Sequence, residues 1–407
     1  MQRPTRFLPK ATEEQHQVTT IELFFDLVFV FAITQVTALV AADLTARGVL
    51  RGFVLLALLW WCWCSYAWLG NQARADEGVV RGAVVAAMAA LFLVGLAVPE
   101  AWGDTGGGFH TPLALALALA FVRLLHLSVY AVAAASDAAL RRQLARAAVP
   151  VGLASVLLVT GALIGDSAQT ALWIAAIVID YGGIYLTDDD GWRLPAPGHF
   201  AERHGLIVLI ALGESIVATG LGLGSNPLTW PVVAAAMLGL AVTVALWWSY
   251  FDVVALVAER VLAGLSGRER TRLARDSYTY LHFPMVAGII FLAVGLKKVL
   301  SYAAGDSSHA LSDSLPALGT AVLYAGPLAY LLAHVAFRYR NVRSISRPRL
   351  VVCLLLPVVA VFAAQAPALV ALGLLAALLV GLICFEAITY AEARRKVRST
   401  GAPHRQP

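Results

Sequence analysis

Twelve apolar runs divide this chain: residues 21–41, 49–69, 80–98, 112–133, 148–165, 169–187, 203–223, 230–257, 277–300, 316–337, 349–365 and 367–391. Most approach the roughly 20 residues that a helix needs to cross the hydrocarbon core of a bilayer. Such a chain has few choices of fold. No water reaches the core, so every backbone N–H and C=O must be satisfied internally, by a helix or a closed barrel. The two-residue alternation of barrel strands is absent, which leaves an all-α, polytopic transmembrane bundle of about twelve helices. Composition agrees: 60% of the 407 residues are hydrophobic and 14% charged, with mean hydropathy +0.76, against about 25% charged in soluble domains. The net charge of +5 resides in short connections between runs, so the expected partner is the lipid bilayer and not nucleic acid. Residues 1–20 are polar and show no signal-peptide pattern. Cys62, Cys64, Cys353 and Cys384 lie in apolar runs, where thiols act as small hydrophobes; no disulfide, metal site or cofactor is expected.

Lysine and arginine orient the chain. Of the 30 basic residues, 24 fall on the side that holds both termini and four on the other, while Arg123 and Arg203 lie within runs. By the positive-inside rule both termini are cytoplasmic. The runs also match in series. Glu22, Trp60-Trp61, His126 and Pro150 in the first six correspond in order to Glu202, Trp247-Trp248, His334 and Pro348 in the last six. This pattern predicts two parallel six-helix pseudo-repeats, as in some transporters, with Pro150 and Pro348 opening the fifth and eleventh helices. The expected organisation is a cytoplasmic segment 1–20, a first half 21–187, a cytoplasmic linker 188–202, a second half 203–391 and a cytoplasmic tail 392–407.

Two stretches carry a family resemblance. Glu22-Leu-Phe-Phe-Asp26-Leu-Val-Phe-Val30, followed by Glu202-Arg-His-Gly-Leu-Ile-Val-Leu-Ile-Ala-Leu-Gly-Glu214-Ser-Ile, closely resembles the bacterial low temperature requirement protein A family; Tyr280-Leu-His282-Phe-Pro284-Met-Val-Ala-Gly288 is similar to a third block. The resemblance implies a multi-pass protein of the bacterial inner membrane. It implies no chemistry, since the family name records a growth requirement.

The chemistry must therefore be sought in polar residues within apolar runs. A charge near the middle of a span costs about 2.5 kcal/mol or more on insertion scales. Glu214 lies eleven residues past Arg203, about 16 Å along the helix and near the midplane, between Gly213 and Ser215, with Gly220, Gly222 and Gly224 beyond. Small residues there permit close helix approach or a local break. Arg123 and His126, three apart on one face, reach a similar depth. Glu214 is the leading partner for Arg123 and Asp180 the second; Gly182 and Gly183 after Asp180 could loosen that helix. Glu22 and Asp26 share one face. Thr19-Thr-Ile-Glu22 fits a capping box, whereas Asp26 is one turn too deep to cap. These residues, Glu214, Arg123, Asp26, His126 and Asp180, are the primary proton- or solute-binding candidates. Glu22, Glu202, His204, Asp252, His282 and His334 are secondary. Glu202, Arg203 and His204 also fit a snorkelling cluster at the membrane surface, and the same holds for Asp252 and His282. The Asp188-Asp-Asp190 loop lacks the spacing and terminal Glu of a calcium loop.

No phosphate loop, His-Glu-x-x-His or Gly-x-Ser-x-Gly motif occurs, so no catalytic residue is assigned. Three readings stay open: a proton-coupled secondary transporter of a small solute, with Arg123 serving either an anionic solute or as a switchable counter-ion; a structural or sensory protein whose buried polar groups only pair helices; and an intramembrane enzyme acting on lipid. A homo-oligomer is compatible with all three. The topology is testable directly. A reporter fused after Arg398 should behave as cytoplasmic and one inserted at Gly106 as external; an external C-terminus would reverse the orientation.

Overall fold

A computed structural model describes residues 12–13, 16–103, 108–187, 191–224, 227–305 and 309–399. The acidic loop 188–190 lies outside these residues. Each apolar run forms one long helix: α1 (Thr20–Ala42), α2 (Ala46–Gln72), α3 (Gly78–Ala97), α4 (Thr111–Ala133), α5 (Ala138–Ile164), α6 (Asp166–Leu186), α7 (Pro197–Leu223), α8 (Trp230–Phe251), α11 (His282–Ala304), α12 (Ala317–Val342), α13 (Arg347–Ala363) and α14 (Ala368–Thr389). Three short helices interrupt the series: α9 (Val254–Gly264), α10 (Gly267–Leu273) and α15 (Ala391–Ser399). A π-helical stretch, Ala274–Tyr280, leads into α11. No strand occurs among the described residues; Ser314 and Pro367 form an isolated bridge. Among the described residues, eleven helical segments are long and apolar enough to cross a membrane. The 17-residue α13 rises only about 26 Å, just under the hydrocarbon thickness. The protein is thus a multi-pass helical membrane protein.

Caps written in the sequence set several helix starts. Thr19 and Glu22 form the capping box of α1. The Thr45 hydroxyl accepts from Gly48 N at the start of α2, 3.1 Å away. Asp137 Oδ1 accepts from the backbone N–H groups of Ala139 and Leu140, at 3.0 and 3.2 Å, and so starts α5 at Ala138. Pro150 therefore lies inside α5 and does not open it; the cap, upstream of the apolar run, decides the boundary. Pro348 does sit in the first turn of α13, where its missing N–H costs nothing.

The chain divides into two compact units: residues 1–203 with 265–275, and residues 204–264 with 276–407. In the first, α2 is the central column, buried at almost every position from Val54 to Asn71. A helix apolar all round suits such a place. Gly183 of α6 receives the Pro150 ring of α5, where a Cβ would stand 2.5 Å from the ring. In the second unit α11 is the most buried span. It meets α12 through Gly288 and Gly326, each of which would drive a Cβ into the other's carbonyl oxygen. Leu153, Val156 and Leu163 on α5, and Leu354 and Phe362 on α13, are exposed, as a lipid-facing surface requires. Glu22 and Glu202, matched in the sequence series, differ in environment: the first is buried and the second exposed.

Small residues at a helix crossing bring backbones together by van der Waals contact, which is the main attraction between helices in lipid. Gly288→Ala or Gly326→Ala should each destabilise the protein by about 1–3 kcal/mol, as overpacking does. Gly182→Ala, with open space around the added methyl, should be close to neutral. Thermal unfolding in detergent micelles distinguishes the two classes.

Candidate functional site

Buried polar residues gather into four clusters, two in each unit. The first joins the two motifs that carry the family resemblance. Glu22 and Asp26 are four apart on α1, and His199 and Arg203 are four apart on α7, so two one-turn ladders face each other. Arg203 Nη1 lies 2.9 Å from Glu22 Oε1 and Nη2 lies 2.8 Å from Asp26 Oδ1. Trp63 Nε1 donates to Asp26 Oδ1 at 2.8 Å. His199 Nε2 stands 3.1 Å from both Glu22 oxygens. Thr19 donates to Glu22 Oε2 from its backbone N–H at 2.9 Å and its hydroxyl at 2.8 Å. Exposure is 1% for Arg203, 2% for Glu22 and 0% for Asp26. Arg203 is thus no snorkelling residue. A cation this deep is held by two carboxylates, and its head group never reaches water. Gly70 leaves room for Glu22, since a Cβ there would strike Oε1. Asn71 pins the start of α7 by donating to Ala196 O at 2.5 Å and accepting from Ala196 N at 3.3 Å. His16, ahead of α1, packs its ring 5.0 Å from that of His199. Burial, and then His199, push the His16 imidazole below its ordinary pKa.

The second cluster overturns one expectation. Arg123 is taken by Asp180, not Glu214: Nη2 meets Oδ1 at 2.7 Å and Nε meets Oδ2 at 3.1 Å, with Ser65 Oγ on Nη1. This bidentate fork satisfies the guanidinium. The cavity beside it is only about 20 Å³, room for about one water. α6 continues unbroken through Gly182 and Gly183. His126, on the next turn of α4, packs between the rings of Tyr66 and Tyr130, at 5.8 and 5.5 Å.

The third cluster, in the second unit, is aromatic. His282 Nδ1 donates to Ser277 O at 3.0 Å, which leaves Nε2 to accept from Tyr250 OH at 2.8 Å. Tyr278 stacks on this ring, and His204 meets it edge-on at 5.2 Å. His204 and His282 are therefore core groups and not surface ones. Glu214 is also buried, at 3% exposure, and α7 runs past Gly213 without a break.

The fourth cluster surrounds a cavity of about 420 Å³ in the second unit. Arg349 of α13 grips Glu386 of α14, Nε to Oε1 at 2.9 Å and Nη2 to Oε2 at 2.8 Å. Its Nη1 reaches Ser249 O at 3.1 Å and His334 Nδ1 at 2.7 Å. Across the cavity Asp252, at the end of α8, holds Arg394 of α15 at 2.9 Å and also Arg398. Asp252 is thereby fixed in an ion pair and does not snorkel. Arg338 lines the same space. Its recorded hydrogen bond is to Ser344 Oγ at 3.2 Å, and among the described residues no carboxylate pairs with it. Trp248, Val254 and Val257 supply an apolar wall.

Sequence reasoning marks Asp252 and His334 in this cluster but misses Arg338, Arg349, Glu386 and Arg394; in the first cluster it misses His199. Glu386 stands in the apolar stretch Leu-Ile-Cys-Phe-Glu386-Ala-Ile, the same signal that singles out Glu214. His199 lies in a stretch that reads as linker, and Arg349 at a run's edge reads as a topology charge.

The family described as "Bacterial low temperature requirement A protein (LtrA)" matches residues 17–384. A protein of Rhizobium meliloti (strain 1021) named "Uncharacterized protein RA0937" is 29% identical over 336 residues, which cover 79% of this chain and 78% of that protein. No solved structure matches the chain.

Removing one partner of a buried ion pair strands the other, typically at about 3–5 kcal/mol. Arg203→Gln should carry a penalty of that order, because it leaves Glu22 and Asp26 without their guanidinium. Glu202→Gln, next in sequence but exposed, should stay within about 0.5 kcal/mol. Thermal unfolding of the purified variants measures both.

Proposed function

Because the chain belongs to the bacterial low temperature requirement A family, whose name records no chemistry, we propose a function from the site itself: proton-coupled transport of a small organic or inorganic anion through the second unit. One observation carries this reading. The cavity of about 420 Å³ is lined by four arginines, Arg338, Arg347, Arg349 and Arg394, but by two carboxylates, Glu386 and Asp252. It is large enough for a small solute, and its charge favours an anion.

The coupling follows from exchange of partners. An incoming carboxylate or phosphate first meets Arg338. It then competes with Glu386 for Arg349, whose planar fork suits either oxyanion. Glu386, once released, is a buried carboxylate without its cation. It stays buried only if a proton or another cation neutralises it. Anion binding and proton uptake are thereby linked, and loss of the anion returns Glu386 to Arg349 and expels the proton. His334, 2.7 Å from the same guanidinium, is placed to hold Arg349 while its carboxylate partner changes.

In this reading the first unit's polar residues have a different task. Glu22, Asp26 and Arg203, and likewise Arg123 and Asp180, are ion pairs beside cavities of only about 10 and 20 Å³. They pin helices and do not handle solute. The purely structural reading extends this role to the whole protein, and the two are separable by assay. Full-length protein in liposomes, with an inward proton gradient, should accumulate at least one labelled probe among lactate, succinate, citrate and phosphate. A protonophore should abolish the accumulation. Arg338→Gln should lower uptake about tenfold or more, the value of one lost charge-assisted contact, without loss of folded yield. No uptake of any probe would leave the static bundle as the function. Turnover of the vesicle lipid instead would point to an enzyme.

A further inference from the structure

The geometry points to a second ligand site, independent of the transport reading: a divalent transition-metal site of zinc's class formed by His16, Glu22 and His199. One ligand atom from each lies within 4.8 Å of the others. The residues come from three separate segments: the extended chain before α1, the first turn of α1 and the first turn of α7. Nothing in local sequence brings them together.

Three features favour a metal over a simple hydrogen-bonded cluster. The first is spacing. Donors about 2.0–2.1 Å from a tetrahedral zinc stand roughly 3.3 Å from one another. The edge from His199 Nε2 to Glu22 is already 3.1 Å, and His16 completes the face by a shift of an ångström or so. The second is an unused group. His16 Nε2 is buried without a hydrogen-bond partner among the described residues, although buried polar atoms are nearly always satisfied. The third is charge. Glu22 and Asp26 bring two negative charges to a buried cluster in which Arg203 brings one positive. A cation is thus electrostatically tolerated beside Glu22.

The donor set selects the ion. Two imidazoles with one carboxylate suit zinc, nickel, cobalt or copper and disfavour magnesium and calcium, which prefer oxygen. The outer shell on Glu22 is in place, since Arg203 and Thr19 hold its carboxylate, as second-shell groups do around bound metals. His199 needs one adjustment. Asn71 Nδ2 lies 3.4 Å from His199 Nδ1, an arrangement that puts the ring proton on Nε2. When Nε2 gives its lone pair to the metal, that proton resides on Nδ1, and the ring turns away from the Asn71 amide, which is held in place by both of its bonds to Ala196. Water supplies the fourth ligand. The consequence is a staple that ties the segment before α1 to the starts of α1 and α7.

The test uses full-length protein in detergent, stripped with chelator and titrated with Zn²⁺ alone by calorimetry, with elemental analysis after dialysis. The expected result is one Zn²⁺ per chain, unaffected by excess Mg²⁺, and the visible spectrum of a four-coordinate site when Co²⁺ replaces it. His16→Ala removes a ligand outside the spans and should weaken binding about tenfold or more, by comparison with the 10- to 100-fold effect of outer-shell changes. Zn²⁺ should also raise the unfolding temperature of the wild type and not of His16→Ala. Substoichiometric binding by the wild type, or equal binding by His16→Ala, would mark adventitious zinc and overturn the site. Neither result bears on anion uptake, so the two proposals fail separately.

Discussion

One guanidinium organises the first unit. Arg203 is almost wholly buried and touches carboxylates from two successive turns of α1. In lipid there is no general hydrophobic attraction between helices, because the tails are as apolar as leucine. Association then depends on close packing and on polar groups that have nowhere else to go. The match of two ladders with the same four-residue spacing supplies both register and depth. A helix shifted by one turn would leave one carboxylate facing hydrocarbon. Trp63, which donates to Asp26 and lies 5.6 Å beneath the Arg203 guanidinium, carries the same constraint into α2, the column on which the unit is built.

The second unit uses a looser version of the same chemistry. Arg349 and Glu386 form a bidentate pair like that of Arg123 and Asp180, but they border a cavity of about 420 Å³ and the latter one of about 20 Å³. An ion pair in a sealed site is a fixed strut, since any separation of charge there is prohibitive. Beside a cavity, the same pair can exchange its partner for a solute or water. The difference between structural and functional charge in this protein therefore lies in the volume next to each pair, not in residue type.

That difference also sets what could be read from sequence. Apolar runs reported twelve helices, and their caps, Thr19 and Asp137 among them, are local signals. Helical rise placed Arg123 at the depth of Glu214, but rise carries no information on which helices are neighbours. The choice of Asp180 depends on α4 and α6 both flanking α2, a matter of packing. His282 and Asp252 illustrate the converse error. Their positions near run ends suggest solvated groups, yet the π-helical turn before α11 presents Ser277 O to His282, and α15 returns to cover Asp252. The Arg349–Glu386 pair is partly legible, because a carboxylate in the last apolar run is itself an anomaly.

The sequence distance across the first cluster bears on how the protein is made. Glu22 and Asp26 precede their partners His199 and Arg203 by 177 residues. At the usual 5–20 residues per second of synthesis, the cation follows the carboxylates by about 10–35 s. Arg123 and Asp180 are separated by only 57 residues, and Arg349 and Glu386 by 37. Those pairs close soon after each helix emerges. α1 thus enters the membrane long before its counter-charge, so it must be sheltered, by the insertion machinery or by protons on its carboxylates, until α7 arrives.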